Sequence, residues 1–82
     1  MEQVKEKALA LVDHWLNEAR EQVYLEKPKV AKKALKEANT RVYFAFQIGV
    51  IDKDCYLEKS QEITAIQITI NRVKKYSEVF KE

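Results

Sequence analysis

The chain has 82 residues, 46% of them hydrophobic and 34% charged, with a formal net charge of +2. That length holds one core and that composition excludes a disordered chain. One glycine and one proline exclude an all-β fold, which needs turn residues every 8–12 positions or so.

The single Cys55 cannot form an internal disulfide, and no second thiol is present to build a zinc cluster. A reducing, cytoplasmic setting is the expectation. The opening residues mix both charges and no signal-like apolar region follows them. No run reaches the ~18 apolar residues a membrane span requires. The charge is unevenly placed: residues 1–26 carry −3, residues 27–49 carry +5, and residues 50–82 balance.

Residues 3–26 carry Val4, Ala8, Leu11, Val12, Trp15, Leu16, Ala19 and Val23 at three- and four-residue steps, which predicts one amphipathic helix. Trp15 is central on that stripe and is expected to anchor the core. Tyr24 and Leu25 fall off it, near an exposed end. Lys27-Pro28-Lys29 then breaks the pattern, since proline ends one helix and is welcome in the first turn of the next. So short a connection makes the two helices antiparallel neighbours.

The second helix is expected over 29–48, with Ala31, Ala34, Leu35, Ala38, Val42, Ala45 and Phe46 facing inward. Tyr43 and Phe44 point away from that stripe. An α+β alternative pairs Val42–Ile51 with Ile63–Val73 as a hairpin, because β-branched and aromatic residues crowd both stretches. Against it, Asp52–Gln61 lacks a hairpin turn signal, and Ile63, Ile66, Ile70 and Val73 fit helical spacing better than alternation.

Gly49 is expected to stop the second helix in left-handed geometry, with Val50 and Ile51 folding back. Asp52 is a good N-cap for a third helix over 53–80, and Asp54 adds negative charge to its first turn. That helix faces inward through Tyr56, Ile63, Ile66, Ile70, Val73 and Phe80. Leu57, Ile68 and Val79 lie roughly opposite, and Lys74, Lys75 and Lys81 suit its C-terminal end. The expected architecture is an all-α antiparallel three-helix bundle, one helical domain over 1–82.

Three stripes make a core and leave Tyr43, Phe44, Leu57, Ile68 and Val79 outside it. Such surplus apolar surface marks an interface when contiguous. The expectation is a small non-enzymatic interaction module, a regulator, adaptor, inhibitor or assembly subunit, pairing as a homodimer or with a protein partner through these five residues. Five side chains at about 1.5–3 kcal/mol each would outweigh a modest intrinsic stability. The alternative is a nucleic-acid-binding accessory protein using Lys29, Lys32, Lys33 and Lys36. The same lysines are also explained as a solvated face pairing with Glu18, Glu21 and Glu26, and the chain has only three arginines for bidentate phosphate contacts. A helix-turn-helix around Gly49 fails on charge, because its second helix would bring Asp52, Asp54 and Glu58 to the phosphates.

His14 has one-turn spacing to Glu18, but a metal site needs three or four ligands and none is suggested on the other helices. Cys55 makes no catalytic pair with it at the level of sequence. No catalytic, cofactor or metal residues are assigned, and the protein is not expected to be an enzyme.

Overall fold

The computed structural model describes residues 2–80, with side chains over 3–76. Three helices follow one another: α1 (Glu2–Tyr24), α2 (Pro28–Gln47) and α3 (Lys53–Phe80). They form an all-α three-helix bundle. No described helix is long and apolar enough to cross a membrane.

The hairpin alternative is overturned by burial. Ile66 and Ile70 are buried while Ile68, between them, is 47% exposed. A strand would turn all three to one face, whereas a helix separates Ile68 from the others by about 160°. Likewise Val42 and Ala45 are buried while Tyr43 and Phe44 are exposed, and α2 runs on to Gln47.

Both turns are built from the backbone. At the end of α2, Gly49 adopts φ +81°; its N–H donates to the Phe46 carbonyl at 3.1 Å and the Val50 N–H to the Ala45 carbonyl at 2.9 Å. This pair of bonds is the Schellman arrangement, which satisfies carbonyls that α2 leaves unpaired. It returns the chain so that Ile51 is buried against the core. Asp52 then caps α3, accepting the Cys55 N–H on Oδ1 at 2.8 Å.

The α1–α2 turn has the same design without a glycine. Glu26 donates its N–H to Val23 at 3.0 Å and Lys27 donates to Gln22 at 2.8 Å, with Glu26 at φ +58°. Helix α1 therefore ends at Tyr24, two residues before the expected boundary, and Pro28 occupies the first turn of α2.

Antiparallel α1 and α2 make the largest contact, and α3 packs mainly on α2. Five of the twelve buried apolar residues are alanines (Ala19, Ala31, Ala34, Ala38, Ala45), so α1 and α2 approach closely and the core stays thin. The α2–α3 seam is closed by Phe46 stacked on Tyr56, ring centroids 4.6 Å apart. The inward stripe expected for α2 is buried from Ala31 to Ala45, with Phe46 half-buried. On α1 the expectation is corrected at its first turns: Val4 and Leu11 are exposed, while Leu9 packs on the core. Phe80 and Lys81 lie outside the described side chains.

Helix α3, at 28 residues, is about 42 Å long against about 30 Å for α2. Its last turns overhang the α1–α2 turn. The radius of gyration is accordingly 14.1 Å, above the roughly 12 Å of a compact chain this size.

Candidate interaction surfaces

The largest group of exposed apolar side chains lies where the start of α1 meets the end of α2. Val4, Ala8 and Leu11 face Phe44, Ala45, Ile48 and Val50 across a groove of about 370 Å³. Phe44 is 59% exposed, Ile48 58% and Val4 50%. The groove exists because alanine stands at its base on both helices: Ala8 and Ala45 cannot fill the space between the axes. Its rim is polar, with Thr40 beside an Arg41–Glu37 ion pair at 2.9 Å.

The five residues expected to form one interface fall on three faces. Phe44 lines the α1–α2 groove. Tyr43, its neighbour in sequence, turns about 100° away toward α3. There its ring centroid is 6.3 Å from that of Tyr56, and its hydroxyl accepts a hydrogen bond from Gln47 Nε2 at 3.0 Å. Leu57 and Ile68 are brought together on the outer face of α3, in a shallow depression with Gln61, Thr64 and Ala65. Val79 lies outside the described side chains. Because α1 and α3 pack on different flanks of α2, adjacent residues of α2 serve different surfaces. Of the residues that share the groove with Phe44, periodicity places Val4 and Leu11 on the inward stripe of α1 and gives Ile48 no role. Their apolar character reads as core until the partner helix proves too slender to cover them.

A polar cluster joins α1 to α3. Lys59 Nζ lies 2.7 Å from Asp13 Oδ1 and 3.4 Å from Glu62 Oε2, and Arg20 reaches the other Glu62 oxygen at 3.5 Å. The Lys59 side chain is only 15% exposed. Burial alone would lower its pKa; the hydrogen bond from Lys59 to Asp13 and the charges of Asp13 and Glu62 outweigh that and hold it above the ordinary lysine value. One sequence signal points here: Lys59 occupies the step of the α3 stripe between Tyr56 and Ile63.

Lys27, Lys29, Lys32, Lys33 and Lys36 are all exposed. Among the described residues none pairs with Glu18, Glu21 or Glu26, so that expected pairing is corrected. Glu18 accepts instead from Gln22 of its own helix at 3.0 Å. The outward face of α2 is turned away from α1, which puts the lysines out of reach. Lys32, Lys36 and Asn39 border a groove of about 410 Å³ whose far side is Thr64, Gln67 and Ile68 of α3.

Trp15 is half-buried on the core, with its ring edge-on to exposed His14 at 5.1 Å. Cys55 is half-buried at the capped start of α3. No three potential metal ligands gather among the described residues. Comparison with known protein families, curated proteins and solved structures finds no match to this chain.

Proposed function

We propose that the protein is a non-enzymatic interaction module that acts by contact, and that it pairs with a second copy of itself through the groove around Phe44. The observation that supports this reading is a projecting aromatic ring beside an open apolar groove on one surface. A two-fold axis near Phe44 seats each ring in the partner's groove, an isologous contact. The rim supports it as well, since Glu37 and Arg41 provide one charge of each sign and a second copy meets no net repulsion.

The energetics allow at most a reversible dimer. Burying the exposed halves of Val4, Leu11, Phe44 and Ile48 contributes about 3–6 kcal/mol per copy, or about 6–12 kcal/mol for the pair. Association costs about 4–15 kcal/mol. The most favourable balance, about 8 kcal/mol, sets the limit at a dissociation constant on the order of a micromolar. The biological output is occlusion or scaffolding, with the dimer as regulator, adaptor or assembly subunit. A cytoplasmic setting fits the lone Cys55, which has no partner in the chain.

Sedimentation across a dilution series checks this. Wild type is expected to pass from dimer to monomer through the micromolar range, and Phe44→Glu to remain monomeric with unchanged helicity. Dimerisation that survives Phe44→Glu would move the interface elsewhere. A wild-type monomer at high concentration would remove self-association.

A further inference from the structure

Antiparallel packing brings the first turns of α2 beside the far end of α3. The Phe46–Tyr56 stack, and the groove shared by Lys32, Lys36 and Asn39 with Thr64, Gln67 and Ile68, set that register. Extended by two turns, it draws Lys27 and Lys29 level with residues 73–75 of α3. Five exposed lysines of the α2 end thus gather at one pole with exposed Arg72, Lys74 and Lys75. None of these eight cations has an ion-pair partner among the described residues. Against these eight cations stand Glu18, Glu21 and Glu26, and the neighbouring Arg20–Glu62 and Arg41–Glu37 pairs cancel, which leaves five positive charges in excess. Glu78 would lower that by one, and its side chain lies outside the described residues. The rest of the chain is net negative, since the whole carries only +2.

The spacing suits a polyanion. Lys29, Lys33 and Lys36 rise along the outward face of α2 by about 6 and about 4.5 Å, between one and two of the ~3.4 Å axial steps between phosphates of one strand. Lys74 and Lys75 stand on the neighbouring helix, whose axis packs at the usual 8–10 Å or so, while Arg72, about 160° round α3 from Lys74, adds its charge from the other side. Between the two helices, Asn39, Thr64 and Gln67 offer the neutral donors that accompany lysine on phosphate oxygens. Tyr24, 86% exposed at the end of α1, stands at the same pole, where an unpaired base can stack on it. An anionic lipid surface suits the pole less well. It takes an apolar stripe beneath the lysines, and α2 buries its stripe, Ala31 to Ala45, in the core.

We infer that this pole binds the phosphodiester backbone of nucleic acid between the lysines of α2 and Lys74 and Lys75 of α3. The site is separate from the Phe44 groove and does not depend on dimerisation. It is tested by fluorescence anisotropy with a labelled single-stranded oligonucleotide and its duplex, from about 25 to about 300 mM salt.

Wild type is expected to bind at low salt and weaken steeply as salt rises. Lys33→Glu/Lys36→Glu and Lys74→Glu/Lys75→Glu should each lower affinity at least about tenfold. Each pair should also flatten the log–log salt slope by about 1.4 on a single strand or about 1.8 on a duplex. Lys5→Glu/Lys7→Glu, at the opposite pole, should stay within about twofold of wild type. A further loss with Tyr24→Ala on the single strand alone identifies base stacking; equal behaviour on both forms identifies backbone contact only. Absence of binding at low salt overturns the proposal. So does indifference to the α3 pair, which would leave α2 acting alone. Capture by phosphatidylserine vesicles without oligonucleotide binding assigns the pole to membranes and also overturns it.

Discussion

Glu26 and Gly49 occupy the same position in two turns of the same design, and only one of them suits it. A left-handed conformation brings Cβ against the following carbonyl, at roughly 1–2 kcal/mol for an L-residue, and glycine escapes that cost. Glu26 bears it at φ +58°. Glu26→Gly should therefore stabilise the protein by about 1 kcal/mol, after the entropy that glycine adds to the unfolded chain. Gly49→Ala should do the reverse by a similar amount. A Cβ there would meet nothing within 4 Å, so the loss is conformational and not steric. Urea midpoints of the two variants check both signs. The glycine was legible as a helix stop from sequence. The glutamate was not, because nothing about a glutamate side chain favours left-handed backbone; the hydrogen bonds of the turn hold it there.

At the scale of elements, α1 and α3 are joined by few contacts, and Lys59 is the most distinctive of them. Its folded-state pKa is raised, so the fold favours the ammonium form. The stabilisation is then fully present below the ordinary lysine value near 10.4 and is lost as pH rises through the higher folded value. Wild type should lose stability above about pH 10.5 more steeply than Lys59→Met. At neutral pH a double-mutant cycle of Asp13→Asn with Lys59→Met should give a coupling of about 0.5–1 kcal/mol. It stays modest because Asp13 is half exposed and water screens the pair. A coupling of zero, with no difference in the alkaline limb, would mean that Lys59 contributes through its methylene stem alone.

At the scale of the molecule, the thin core and the groove are one fact. Alanines that bring α1 and α2 close also leave Val4, Leu11, Phe44 and Ile48 uncovered. A domain of this size buries only about 60–65% of its extended surface. Pairing of two copies should therefore raise thermal stability, by mass action on the folded state. The melting temperature is expected to climb by several degrees between micromolar and hundred-micromolar protein, and to be independent of concentration in Phe44→Glu.

Sequence by itself determined the helices, their order and their inward faces, except on α1, where Val4 and Leu11 are exposed and Leu9 packs on the core. These depend on local spacing, on the scarcity of glycine and proline, and on the capping chemistry of Asp52, all carried by neighbours along the chain. It also marked Tyr43, Phe44, Leu57 and Ile68 as outward-facing, since a residue's angle about its own helix follows from its number. Only the tertiary structure decided which outward residues share a surface. That depends on which flank of α2 each neighbouring helix occupies and how far α3 slides along it. Periodicity within one helix carries neither quantity, so Tyr43 and Phe44 part company, Lys59 meets Asp13, and the lysines of α2 gather with those of α3.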